Sequence, residues 1–221
     1  MTEGIAGRRE AGAALDHLLI GAPTLENGIA WLEEKTGVRA AIGGSHPGLG
    51  TWNALASLGF RQYLEIIAPD PGQPGVQTIY VPGLRSFDRP RITTWAAVGR
   101  DLNTHFGAAL PKTFSCEPPR PGTRIRPDGK RLAWSLAFPK LLGHGTLDGA
   151  LPFFIEWQSN DMHPGQITPK GLTLKAFSIE HPKPKLVLQG LRALGLECAV
   201  HRATVMSIRV EVETPRGTVF L

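Results

Sequence analysis

Cysteine is scarce in this chain: Cys116 and Cys198 are the only two among 221 residues. Two thiols that far apart do not make a zinc ribbon. A single disulfide is left open by the sequence, and reduced thiols are the expectation. Long apolar runs are missing as well. Nothing approaches the ~20 consecutive apolar residues of a membrane span, so no membrane partner is expected. The opening segment, Met1 to Ala14, carries Arg8 and Arg9 among Gly and Ala and lacks the apolar stretch of a secretory signal. It reads as a flexible tail at residues 1–14, and the default expectation is a cytoplasmic protein. Charge of one sign is also modest, at 24 basic against 19 acidic residues, or +5. The basic residues gather only once, as Arg120, Arg124, Arg126, Lys130 and Arg131 between Pro119, Pro121, Pro127 and Gly129. Such a cluster could steer an acidic ligand. Without a helix or an aromatic platform beside it, it reads as a solvated, Pro/Gly-broken loop, and no nucleic-acid partner is expected.

What is present is ordinary globular material, 42% hydrophobic and 19% charged, enough for a sizeable core. The first stretch alternates between strand and helix signals. Leu15 to Ala22 is continuously apolar, Pro23 breaks it, and Thr24 is a good N-cap with Glu26 in the following turn. Leu25, Ile29 and Leu32 then repeat at helical spacing and Gly37 supplies the stop. Strands follow at Val38 to Ile42, Thr51 to Leu58 and Arg61 to Ala68, with glycine turns between them. A looser copy of this order runs from Ile92: a strand to Val98, a short helix over Asp101 to Leu110, then strands near Phe114, Leu132 to Phe138 and Phe153 to Gln158. Matching the first strands aligns His17 with Trp95, which suggests internal duplication. The chain divides into a first βαβββ unit at 15–72, a linker at 73–90, a second βαβββ-like unit at 91–165, and a C-terminal βαββ extension at 166–221. The fold class is α+β.

Side chains alternate faces along a strand. His17 therefore shares a side with Leu19, Glu65 with Tyr63 and Ile67, and Glu156 with Phe154. Each of these strands carries one ionisable residue amid apolar ones, and a lone buried charge is costly. A shared divalent cation would satisfy all three. His46 and Asn53 sit on the glycine turn and the strand after it, and His163 lies in a loop beyond Glu156. Either histidine could close over the site as a further ligand or as a general base.

The strings LDHLLIGAP, GGSHPGLGTWNALASLG and YLEIIAPDP together resemble the first module of glyoxalase-like proteins of the vicinal oxygen chelate superfamily, and PFFIEWQSNDMHPG resembles the close of their second. The resemblance implies paired βαβββ modules forming a cupped mixed sheet around a small-molecule site. It further implies metal ligands at His17, Glu65 and Glu156, with Trp95 at the fourth ligand position, where indole cannot ligate. Glu156 and His46 would be the catalytic groups. Trp95, Phe154, Tyr63, Asn53, Leu19, Ile67 and His163 would line the pocket. The implied cofactor is a divalent Fe, Mn, Co, Ni or Zn ion, and the implied activity is that of an isomerase, lyase, epimerase or dioxygenase on an unknown substrate. The alternative is a metal-free cup that binds or sequesters a small molecule. A homodimer is left open.

Overall fold

The structure is a computed structural model that describes residues 9–10, 14–76, 81, 83–126, 128–158 and 162–221. Most of the expected tail at 1–14 and part of the 73–90 linker lie outside the described residues. Strand β1 (Leu15–Gly21) leads into helix α1 (Leu25–Thr36), followed by β2 (Ala41–His46), β3 (Thr51–Gly59) and β4 (Gln62–Pro69). Strands β5 (Arg91–Val98), β6 (Arg120–Ile125), β7 (Arg131–Ala137) and β8 (Phe153–Trp157) form the second half. All eight join one sheet in the order β2-β3-β4-β1-β5-β8-β7-β6. Each half places its first and last strands side by side and parallel, β1 with β4 and β5 with β8, and β1 and β5 pair antiparallel at the centre. The halves are thus related by a pseudo-twofold between β1 and β5. The sheet curls until its two edges meet: a Cβ on Gly44 of β2 would stand 3.1 Å from the carbonyl of Ile125 in β6.

The convex face is covered differently in the two halves. In the first half α1 lies against the sheet. The Thr24 side chain accepts from the Asn27 amide, and Gly37 closes the helix in the left-handed region at φ 76°. Leu25, Ile29 and Leu32 are buried against the sheet. A Cβ at Gly28 would fall 2.3 Å from Ile66 Cγ2, so the helix approaches the sheet as closely as it does only because that side chain is absent.

In the second half the helix expected over Asp101 to Leu110 is reduced to a π-type turn at Leu102–Phe106 and a short helical stretch at Gly107–Ala109. The convex face there is covered instead by the C-terminal segment. After the four-residue helix α2 (Pro164–Ile167), strand β9 (Thr173–His181), helix α3 (Pro184–Ala193), β10 (Ala199–Arg202), β11 (Ser207–Thr214) and β12 (Gly217–Phe220) form a second sheet in the order β10-β9-β11-β12. Its apolar face, with Phe177, Ile179, Ile208 and Val210, joins the same buried cluster as Trp95, Ala97 and Leu18. Phe177 meets Trp95 edge-on at 5.2 Å.

Two local readings change. The second strand is not Val38 to Ile42 but Ala41–His46, running through Gly43 and Gly44 with a bulge between Ile42 and Gly44. Part of the basic segment, Arg120–Ile125, is not a solvated loop either, because it pairs with Arg131–Ala137 as an edge strand. Pro121 sits on that edge, where a strand tolerates the loss of a donor. No helix among the described residues is long and apolar enough to cross a membrane.

Candidate functional site

The concave face encloses an open cavity of about 590 Å³, counting the space at its mouth. Strand alternation decides what lines it. Strand β1 contributes His17 and Leu19, β3 contributes Asn53 and Leu55, and β4 contributes Tyr63, Glu65 and Ile67. From the second half come Arg124, Trp134 and Leu136, and β8 adds Phe153, Ile155 and Trp157. The polar groups cluster on the first-half wall, and the second half is an aromatic and aliphatic wall interrupted by one guanidinium.

His17 is held from behind. A bulge between Leu15 and His17 in the pairing with β5 breaks the alternation at Asp16. The Asp16 carboxylate, 1% exposed, consequently reaches the same side as its neighbour. His17 Nδ1–H donates to Asp16 Oδ1 at 2.7 Å. The other carboxylate oxygen accepts from Trp157 Nε1–H and from His163 Nε2–H, both at 3.0 Å. The His163 tautomer follows from its other nitrogen, which accepts the Gly165 amide at the start of α2. Burial alone would raise the Asp16 pKa, but hydrogen bonds from His163 and His17, and their charge, hold it at about 2. Asp16 is therefore a fixed negative acceptor for three donors.

With Nδ1 committed, His17 turns Nε2 toward Glu65 Oε2, 3.3 Å away. Its ring stacks on Tyr63 at 4.6 Å between centroids. Burial, with the charges of Asp16 and Glu65, raises the Tyr63 pKa far above its usual value, so the phenol stays protonated and is a donor. Glu65 Oε1 accepts from Asn53 Nδ2 at 2.7 Å, and the same amide lies 3.1 Å from His46 Nε2. His46 Nδ1 pairs with Thr51 Oγ1 at 3.0 Å. Burial keeps His46 neutral to lower pH than usual, with Glu65 opposing that trend and Arg124 adding to it.

The structure brings His17, Glu65, His46, Asn53, Tyr63, Leu19 and Ile67 to one cavity, and it separates four expected members from it. Glu156 lies on the opposite face of β8, where its carboxylate accepts the amides of Asp101 and Leu102 at 2.9 and 3.1 Å. It caps the π-type turn, away from the cavity and from His17 and Glu65. Phe154 likewise faces away, packing on Phe106 at 4.8 Å. Trp95 is fully buried in the convex-side core, its indole N–H donating to the Ala150 carbonyl at 3.1 Å. The residue of β5 across from His17 is Ala96, so aligning His17 with Trp95 was one residue out of register, and a one-residue slip reverses the face. His163 stands behind the wall as a support for Asp16.

A divalent metal does not fit the residues present. Among the described residues no three His, Cys, Asp or Glu side chains are arranged to hold an ion. The donors nearest to such a set are His17 Nε2 and Glu65. The Asn53 amide occupies His46 Nε2 and Glu65 Oε1, and the described second-half residues on this face are the Arg124 guanidinium, which cannot ligate a cation, and apolar or aromatic groups.

Residues missed from the sequence are Asp16, Trp134, Trp157, Phe153 and Arg124. The first was hidden by the bulge, Trp157 and Phe153 by the register error, and Trp134 lies on a strand whose faces the sequence left unassigned. Arg124 is 4% exposed and belongs to the strand that Pro121 and Gly122 disguised.

The profile of the Glyoxalase-like domain family matches residues 15–195. The chain belongs to that family. Among solved structures, one of a hypothetical protein from Staphylococcus aureus aligns with a TM-score of 0.70 at 12% identity, covering 93% of this chain and 97% of that one. Methylmalonyl-CoA epimerase from Mycobacterium tuberculosis aligns at 0.38 and 17% identity, over 70% of this chain and 92% of that one. A mutant 4-hydroxymandelate synthase from Streptomyces coelicolor aligns at 0.44 and 14%, over 97% of this chain and 62% of that one. Among curated proteins none matches the chain.

Proposed function

We propose that the chain is a glyoxalase-like enzyme that moves a proton at a carbon next to a substrate carbonyl, as an isomerase, epimerase or lyase does, with the His17–Glu65 pair as the acid–base centre. The observation that carries this reading is His17 itself: Nδ1 is locked by Asp16 while Nε2 faces the cavity beside a second carboxylate. An imidazole with a fixed tautomer and orientation is what proton transfer requires, and the neighbouring carboxylate can receive or return the proton. The proton leaves the carbon for the His17–Glu65 pair, and the electron pair remains on the substrate as an enolate. Tyr63, a protonated donor beside His17, supplies a hydrogen bond to the oxyanion, and its return to a carbonyl completes the turnover. The apolar second-half wall excludes water and strengthens these interactions.

Solvent-deuterium exchange tests this reading. A panel of small oxo compounds in D2O, followed by proton NMR, is expected to lose signal at a carbon next to a carbonyl with the wild type. His17→Ala is expected to slow that loss by about 100-fold or more. Absence of exchange across the panel, or full exchange by His17→Ala, removes the catalytic reading. A metal-free binding protein would then be preferred, on the strength of the aromatic wall of Trp134, Phe138, Phe153 and Trp157.

A further inference from the structure

Among the described residues Arg124 is the one cation lining the second-half wall. Its side chain lines the cavity, the residue is 4% exposed, and it makes neither a hydrogen bond nor an ion pair with any described residue. Glu65 acts on it electrostatically but stands beyond ion-pair distance and is already engaged by Asn53, His17 and His46. Asn53 Oδ1, which borders the same Gly43 seat, is buried without a hydrogen bond, and an amide oxygen brings no charge. Burial depresses the Arg124 pKa, but a guanidinium remains charged at any pH at which the protein folds.

The fold makes room for this side chain deliberately. Gly43 stands at the bulge of β2, directly across the seam of the curled sheet from β6. A Cβ there would lie 2.5 Å from Arg124 Nη1 and 2.3 Å from Asn53 Oδ1. Any other residue at 43 would push the guanidinium from its place. A buried, uncompensated charge is a cost to the folded protein. Keeping one in a cavity wall, in a seat that only glycine allows, is explained by a ligand that neutralises it.

We propose that Arg124 binds the carboxylate of the ligand, so that the pocket takes small carboxylic acids whose apolar body lies against Trp134, Phe153 and Trp157. The planar fork of a guanidinium pairs with a carboxylate through two parallel hydrogen bonds. Phosphate would satisfy the charge equally, but the rest of the second-half wall offers hydrocarbon and indole surfaces, which suit a body without further charges. The proposal deepens the functional reading above, since the anchored carboxylate would hold the reacting carbon before His17 on the facing wall. The anion subsite nevertheless stands or falls by binding alone.

The test compares phenylacetate with its neutral isostere phenylacetamide. Binding is followed by the fluorescence of the wall tryptophans and by the shift in melting temperature. The wild type is expected to bind the acid at least tenfold more tightly than the amide. Arg124→Met should lose that preference while Arg124→Lys keeps part of it. His17→Ala should retain the preference, so that failure of the acid–base reading leaves this one intact and the reverse is equally visible. Without any ligand, Arg124→Met should melt at a higher temperature than the wild type, because it removes a buried charge that no described residue pairs. Equal effects of acid and amide on the wild type, including no effect of either, would overturn the proposal. So would a lower melting temperature for ligand-free Arg124→Met, which would mark the arginine as structural.

Discussion

Asp16 shows how one residue can set both stability and chemistry. It is a carboxylate that cannot exchange its partners for water, and it accepts from an indole and two imidazoles. Replacing it with Asn preserves the shape but turns an amide toward groups that are themselves donors. Asp16→Asn should therefore destabilise the protein by about 3 kcal/mol or more at neutral pH, measured by urea unfolding. The sign of the pH dependence follows from the shift. The folded pKa of about 2 lies below the ordinary value of 3.8, so the contribution is fully present above pH 3.8 and is lost as pH falls through about 2. The gap between wild type and Asp16→Asn should narrow over that window.

His46 titrates in the opposite sense. Burial lowers its folded pKa below the ordinary 6.5, so the unfolded chain takes up this proton first as pH falls. Wild-type stability should then decline below pH 6.5, with a slope approaching about 1.4 kcal/mol per pH unit from this group. His46→Gln should flatten that part of the curve. An unchanged slope in a folded His46→Gln protein would place the proton uptake on another group.

At the scale of elements, legibility followed how regular each one is. The α1 boundaries could be read because Thr24 and Gly37 are standard helix punctuation and Leu25, Ile29 and Leu32 mark one face. The faces of β1 and β4 could be read too, since alternation runs cleanly through Tyr63, Glu65 and Ile67. What failed was whatever an irregularity controls. The bulge at Asp16 put two successive residues on one side, the bulge at Gly43 extended β2 through a glycine pair that resembles a turn, and Pro121 with Gly122 made β6 resemble a loop. The second-half register slipped by one residue because its helix is vestigial and gives no anchor for the alignment. That single step exchanged Trp95, Phe154 and Glu156 for Ala96, Phe153 and Trp157. The irregularities are also where the site is built, which gives a test at this scale. Gly43→Ala should weaken phenylacetate binding as much as Arg124→Met does, at a stability cost of about 1–3 kcal/mol from overpacking. Gly28→Ala, clashing with Ile66 far from the cavity, should cost similar stability and leave the acid-over-amide preference unchanged.

For the whole molecule, the division of labour lies between the two faces of the large sheet. The concave face holds the cavity, and none of its described lining residues comes from beyond Trp157. The convex face is sealed by α1 on one half and by the C-terminal sheet with α3 on the other, in a single buried cluster that runs from Leu25 through Trp95 to Val212. The C-terminal extension thus substitutes for the second-module helix: where α1 has a full twelve residues, the equivalent place has a π-type turn, and Phe177 packs on Trp95 instead. An extension that replaces a structural layer cannot be removed as an accessory could. A chain ending at Gly171 would expose Trp95, Ala97 and the neighbouring apolar surface, a patch too large for a soluble monomer to leave bare. It should be recovered as aggregate, or as a species that binds a hydrophobic dye and lacks near-ultraviolet circular dichroism. If that shortened chain instead unfolds cooperatively and keeps the acid-over-amide preference, the C-terminal sheet is a separable addition and the eight-stranded cup carries its own core.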